Sequence, residues 1–193
     1  AKEFLDMAAR AAMVSKFPDF RLWVARCKSW QTRYPQVTQA DTLESRVNPY
    51  YFMQILSQCM DRDATVVSDT GCALAWAMQG LEFKGQRFIH AFNMTPMGYG
   101  LPAAFGAALE TGRQTVLLTG DGSIQMSIAE LATIAKHKPN LKVIVLNNRG
   151  HAMCRQTERQ WLDGVHCATD ENDLAIPSFQ RIARAYGLSL VTH

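Results

Sequence analysis

The sequence predicts an α/β fold: a parallel sheet with helices on both faces, preceded by a short helical segment. Two apolar, β-branched runs, Thr115 to Thr119 and Leu141 to Leu146, have the character of buried strands. Between them lies a segment of helical spacing (Ile124, Met126, Ile128, Leu131, Ile134), stopped by Pro139-Asn140. A strand–helix–strand unit of this kind makes the strands parallel and the crossover right-handed. The strands end in Gly120-Asp121-Gly122-Ser123 and Asn147-Asn148, at the carboxyl edge where open α/β sheets bind ligands.

The elements follow in order. Lys2 to Lys16 has an amphipathic helical pattern (Phe4, Leu5, Ala8, Ala11, Ala12). Asp19 to Trp30 has another, with Phe20, Leu22, Trp23, Val24 and Cys27 near one face. Lys28 to Tyr34 turns polar and basic, and Pro35 breaks the pattern. Residues 1–34 therefore read as a helical tail and 35–193 as the main domain. Gln36 to Val47 is a polar linker. Asn48-Pro49 supplies an N-cap and a first-turn proline for a helix through Tyr51, Ile55, Leu56 and Met60. Ala64 to Ser68 is a short strand ending at Asp69-Thr70-Gly71, and Leu74 to Met78 continues as helix. Arg87 to Phe92 is the next strand. The loop through Met97-Gly98-Tyr99-Gly100 leads into a helix of small residues reaching Leu109, whose glycines permit close backbone approach. Val165 to Ile176 is an acidic loop, Pro177 to Tyr186 a helix stopped by Gly187, and a last strand starts at Leu188.

A chain of 193 residues holds one good core, with or without an appendage. Its net charge of +3 is too small to argue for nucleic acid, and no apolar run is long enough to span a membrane. Cys27, Cys59, Cys72, Cys154 and Cys167 are scattered without C-x-x-C spacing, which reads as reduced thiols in the cytoplasm. Both ends look cut, the last inside a strand.

Asp121 and Asn148 define the chemistry. They stand 27 positions apart (148 − 121), with one helix and one strand between them. A carboxylate and an amide oxygen are hard ligands that suit Mg²⁺ or Ca²⁺ and leave coordination positions open for phosphate oxygens. Gly122 and Ser123 open a helix whose free N–H groups and positive end face an anion. Ala152 and Met153 do the same at the next helix start. Cation, phosphate and helix terminus converge on a diphosphate.

Gly120-Asp121-Gly122, about 25 residues, then Asn147-Asn148 resembles the thiamin-diphosphate motif of the pyruvate-processing decarboxylases and carboligases. The wording around Gly120 to Ser123 and Glu130 to Ile134 is most similar to the acetolactate synthase family. So is Met97-Gly98-Tyr99-Gly100-Leu101-Pro102-Ala103. The resemblance runs along residues 35–193 and implies the thiamin-diphosphate-binding fold. It implies Asp121, Asn148 and the Gly150 carbonyl as Mg²⁺ ligands. Met97 becomes the prop that folds the cofactor's rings together, and the Thr95 carbonyl the acceptor for its exocyclic amine. Gly71, Cys72, Gly98, Gly120, Gly122, Ser123, Ala152 and Met153 become cofactor contacts; His151 is either a further site residue or a solvent-facing histidine. Cys72-Ala73-Leu74 stand where acetolactate synthases carry polar side chains, so that turn offers main-chain donors. Arg155 to Trp161 departs from acetolactate synthase wording and is more similar to relatives found with surface-sugar biosynthesis.

The resemblance further implies decarboxylation of a 2-keto acid, pyruvate in the first place, with ligation to a second carbonyl compound. Simple decarboxylation is the variant in which a proton is the acceptor. A Glu on a separate pyrimidine-binding domain completes such sites, and nothing here corresponds to it; Glu130 sits mid-helix beyond the diphosphate turn. The expectation is an inactive isolated chain that works as a homo-oligomer (dimer or tetramer) or with a partner subunit. A non-catalytic FAD would belong to a middle domain absent here. The competing reading is a nicotinamide-dependent dehydrogenase, from Gly98-x-Gly100-x-x-Ala103 with Asp121 as a ribose-binding acid.

Overall fold

A computed structural model describes residues 2–14, 18–42, 46–165 and 167–191. The chain divides into two compact units, Ala1–Gln39 and Ala40–His193. The first carries α1 (Lys2–Val14) and α2 (Arg21–Arg33), neither of which has a buried residue. The predicted end of α1 at residues 15–16 lies outside the described residues. In α2, Trp23 and Trp30 meet edge to face with centroids 5.7 Å apart, and Arg26 lies over the Trp30 ring.

The second unit is the expected α/β architecture. Strands β1 (Thr65–Ser68), β2 (Arg87–Ile89), β3 (Thr115–Gly120) and β4 (Leu141–Leu146) form one parallel sheet in the order β2-β1-β3-β4. Its helices are α3 (Pro49–Cys59), α4 (Cys72–Gly80), α5 (Gly100–Thr111), α6 (Asp121–Gln125), α7 (Glu130–His137), α8 (Ala152–Trp161) and α9 (Phe179–Ala185). Successive strand residues point to opposite faces, and two cores result. On one face Met53, Ala77 and Leu81 pack on Val66, Val116 and Leu118. On the other, Leu101, Ala104, Ile124, Leu131 and Ile134 pack on Val67 and Leu117. Asn48 caps α3 as predicted, its side chain accepting from the Tyr50 and Tyr51 N–H groups, with Pro49 in the first turn.

From β1 the chain moves outward to β2, and from β3 it moves outward the other way to β4. The strand order thus reverses between β1 and β3, and a crevice opens at their carboxyl ends.

Three expectations need correction. The helix after Gly120 is two helices, interrupted at residues 126–129, where the bonds tighten to the i→i−3 pattern (Met126 N–H to Ser123 O, 3.1 Å; Ser127 N–H to Ile124 O, 3.2 Å). The interruption falls where Gly98 lies against it: a Cβ on Gly98 would sit 2.6 Å from Met126 Cβ. Glu130 is consequently the first residue of α7, not mid-helix, and its charge meets that helix's positive end. Strand β2 stops at Ile89 rather than Phe92, and the His90 ring turns inward to the Ser68 carbonyl (2.8 Å). Residues 188–191 form no strand. Instead Gly187 takes φ +68° to end α9, the Leu188 N–H reaches back to Ala183 O (2.8 Å), and the Leu188 side chain joins the second core.

Candidate cofactor site at the carboxyl edge of the sheet

Asp121 directly follows β3 with its side chain buried, at 1% exposure. Its Oδ1 accepts the Gly122 N–H (2.8 Å) and its Oδ2 the Gly150 N–H (3.1 Å), so the turn after β3 and the turn after β4 share one carboxylate. On the second turn Asn147 points its side chain back to the Arg149 N–H (3.2 Å). Asn148 does not: its Oδ1 is buried and has no hydrogen-bond partner among the described residues. A buried amide oxygen left unpaired costs about 1–3 kcal/mol, so the position implies an absent electropositive partner. Asp121 on the turn after β3 and Asn148 and the Gly150 main chain on the turn after β4 are hard oxygen donors on adjoining turns. No group of three or more His, Cys, Asp or Glu suited to a metal occurs among the described residues.

The turn is held in an uncommon conformation. Arg149 has φ +57° and Gly150 φ +143°. A Cβ on Gly150 would overlap the Thr169 carbonyl, because residues 167–174 cross over the turn as a strap. Thr169 O accepts the His151 N–H (2.9 Å), and Thr169 Oγ1 donates to Glu158 Oε2 of α8 (2.7 Å). An ion pair from Arg149 to Glu171 (2.9 Å) is exposed and adds little. Arg155 donates to the Asn148 carbonyl (3.2 Å), bracing the same turn from α8. The strap, Glu158 and Arg155 carry no sequence signal of this role.

Helix starts surround the crevice. Gly71, with φ +79°, precedes α4, and Met153 Cγ stands 3.8 Å from where its Cβ would be, which brings Gly71 and Cys72 to the start of α8 at Ala152 and Met153. Burial pushes the Cys72 thiol pKa up, and the nearby Arg155 charge pulls it part of the way back. Gly122 and Ser123 follow Asp121 in the first turn of α6, both buried. The His151 ring lies directly on Gly122, where a Cβ would displace it. Because the obstructing atoms belong to a side chain that can swing, Gly122→Ala should change stability by no more than about 1 kcal/mol while moving His151. Denaturant unfolding and the His151 ring resonances check this.

Met97 is partly exposed and adjoins Gly98, whose N–H donates to Asp69 (3.2 Å). Thr95, with φ +42°, lies further out on the same loop. The structure therefore brings Gly71, Cys72, Gly98, Gly120, Asp121, Gly122, Ser123, Asn148, Gly150, His151, Ala152 and Met153 to one edge. Sequence reading passed over Asp69, which is 1% exposed and accepts four hydrogen bonds at the end of β1. Its signal was Asp-Thr-Gly at a strand end.

Residues 69–193 match the family profile described as thiamine pyrophosphate enzyme, C-terminal TPP binding domain. Among similar proteins, the acetolactate synthase large subunit of Porphyra purpurea is 31% identical over 171 residues, 88% of this chain and 28% of that protein. The acetolactate synthase isozyme 3 large subunit of Escherichia coli (strain K12) is 32% identical over 188 residues, 96% of this chain and 32% of that protein. An acetolactate synthase of Arthrospira platensis is 38% identical over 136 residues, 70% of this chain and 23% of that protein. The chain spans about three tenths of the length of the first of these relatives. With the profile covering Asp69, Asp121 and Asn148 together, the chain belongs to the thiamin-diphosphate-dependent enzyme family and carries its acetolactate synthase-like C-terminal cofactor-binding domain.

Proposed function

We propose that this chain holds Mg²⁺ and the diphosphate of thiamin diphosphate between Asp121 and Asn148. It would thereby form half of a site that decarboxylates a 2-keto acid, pyruvate first, and joins the remainder to a second carbonyl compound. The observation that carries the reading is the buried, unpartnered Asn148 Oδ1 on the turn that Asp121 organises. Asp121, Asn148 and the Gly150 carbonyl are hard donors, few enough to leave Mg²⁺ open to phosphate oxygens. The main-chain N–H groups of Ser123, Ala152, Met153 and Cys72 orient the diphosphate at three helix starts, with Gly122 beside them. Met97 props the rings, the Thr95 carbonyl receives the exocyclic amine, and His151 covers the Gly122 side of the pocket. Gly71, Gly98 and Gly120 let the backbone approach. When bound, the cofactor supplies the electron sink for decarboxylation; this chain's residues bind, orient and exclude water.

Around this buried polar edge Met94, Met97, Met126 and Met153 are exposed. An apolar rim beside a polar pocket suits an interface. We assign it to a pyrimidine-binding domain bearing the catalytic Glu, on a second copy in a dimer or tetramer or on a partner subunit. FAD would belong to a middle domain. No described helix is long and apolar enough to cross a membrane, and the proposed setting is cytoplasmic.

A dehydrogenase is disfavoured by the geometry. Gly100 is packed against Leu117 and Asp69, where no pyrophosphate fits. A simple decarboxylase would use the same residues and differs only in the acceptor.

Calorimetry of the chain with thiamin diphosphate tests the proposal. Chelating Mg²⁺ should weaken binding by roughly a hundredfold, or about 2.7 kcal/mol, and the chain alone should not turn over pyruvate. Tight NADH binding with no response to thiamin diphosphate and Mg²⁺ would reverse the assignment.

A further inference from the structure

Asp69 is a buried carboxylate to which the reading above gives no role. It directly follows β1, beside β3, and no cation pairs with it among the described residues. Its Oδ1 accepts the Thr70 N–H (2.9 Å) and the Gly98 N–H (3.2 Å). Its Oδ2 accepts the Gly100 N–H (3.3 Å) and the Thr119 hydroxyl (3.2 Å). Burying a charge without a counter-ion is costly unless hydrogen bonds replace its water, and four donors do so here.

Two of the donors reveal what the charge is for. Gly100 is the first residue of α5, whose own N-cap, Tyr99, makes no side-chain cap. Asp69 therefore caps α5 from another strand, its charge facing the helix's positive end. Gly98 and Gly100 bracket the bend that follows Met97. Gly98 takes φ +83° and abuts Met126. A Cβ on Gly100 would lie 2.7 Å from Leu117 Cδ1 and 3.1 Å from Asp69 itself. The loop is thus clamped between Asp69, β3 and the α6–α7 break, and Thr119 ties that clamp to the strand whose last residue precedes Asp121.

We infer that Asp69 is a positioning residue that fixes the Met97–Gly98 loop against the end of β3. It thereby sets where the ring half of the cofactor is propped relative to the Asp121 turn. The inference rests on the proposed Mg²⁺–thiamin diphosphate site. It differs from a purely structural cap by its consequence: losing Asp69 harms ring placement and spares the diphosphate turn.

The test uses the full chain and two probes with Mg²⁺, thiamin diphosphate and inorganic pyrophosphate. Asp69→Asn puts an amide N–H₂ among the donors. Thr119→Val removes one donor while keeping the shape, and Thr119→Ser restores it. In Asp69→Asn the Gly98 and Gly100 amides should exchange roughly ten- to a hundredfold faster, the factor expected for losing a hydrogen bond to a charged group. Thiamin diphosphate should bind about tenfold more weakly while pyrophosphate is unchanged. Thr119→Val should shift both readouts the same way by less, and Thr119→Ser should return them to wild type. If Asp69→Asn does not fold, the Thr119 pair decides by the same readouts. Equal weakening of both probes, or unmoved Gly98 and Gly100 exchange, overturns the inference. A wild-type chain that binds neither probe overturns the underlying site and the inference with it.

Discussion

Replacing Asp121 by Ala should abolish Mg²⁺-dependent binding of thiamin diphosphate and leave the domain folded. Asp121 is the one carboxylate in the donor set, and the other two donors are a neutral amide and a main-chain carbonyl. Removing the formal charge leaves dipoles alone against the hydration of Mg²⁺, a cation that dehydrates reluctantly. A loss beyond a hundredfold follows, since weakening even the groups that support metal ligands costs about 10- to 100-fold. The fold should survive for a reason visible in the same contacts. The Gly122 and Gly150 N–H groups lose their acceptor, at about 1–3 kcal/mol apiece if they stay dry. Against that, a buried, metal-free carboxylate is itself costly, and its removal leaves space for water. The two effects oppose, so the unliganded variant should unfold within about 2 kcal/mol of wild type. Added cofactor and Mg²⁺ should raise the unfolding temperature of wild type but not of the variant. Unchanged cofactor affinity would remove Asp121 from the site.

Gly150→Ala should be the most damaging single methyl group in the domain. At φ +143° an L side chain is strained by about 1–3 kcal/mol whatever the space. Here the space is also filled by main chain: the Thr169 carbonyl, with Asp170 Cα at 3.0 Å and Thr169 C at 3.1 Å. Backbone cannot swing aside as the His151 ring can. Either the turn bears the strain or the strap lifts, breaking the His151–Thr169 and Thr169–Glu158 bonds. We expect a loss of about 3 kcal/mol or more in denaturant unfolding, with faster amide exchange at His151. A loss below about 1 kcal/mol would mean that the turn does not hold this conformation in solution.

The sheet and the turns after β3 and β4 were legible because their signals are local. Thr115 to Thr119 and Leu141 to Leu146 are apolar and β-branched over a strand's length, and Gly-Asp-Gly and Asn-Asn each announce a turn within four residues. What was not legible depends on distant partners. The break between α6 and α7 lies inside a good helical pattern and answers to Gly98, from another loop. Asp69 meets its donors 29, 31 and 50 positions away. The strap over Gly150 is written only as an acidic loop, and of the apolar residues that look like a last strand Leu188 serves a helix end and a core while Leu190 and Val191 are exposed.

The strand order has a consequence for how the domain comes into being. The central pair joins Thr65 to Thr115, fifty positions apart (115 − 65), and every pairing in the sheet is parallel. None can form as a hairpin. The chain must first surrender the entropy of closing long loops, and only then is it rewarded by sheet contacts. Asp69, Asp121 and Asn148 follow β1, β3 and β4 and are spread over 79 positions (148 − 69), so no fragment shorter than β1 through β4 contains all three. During synthesis the pocket is absent until the turn after β4 has emerged, and by then most of the sheet is already available to receive it.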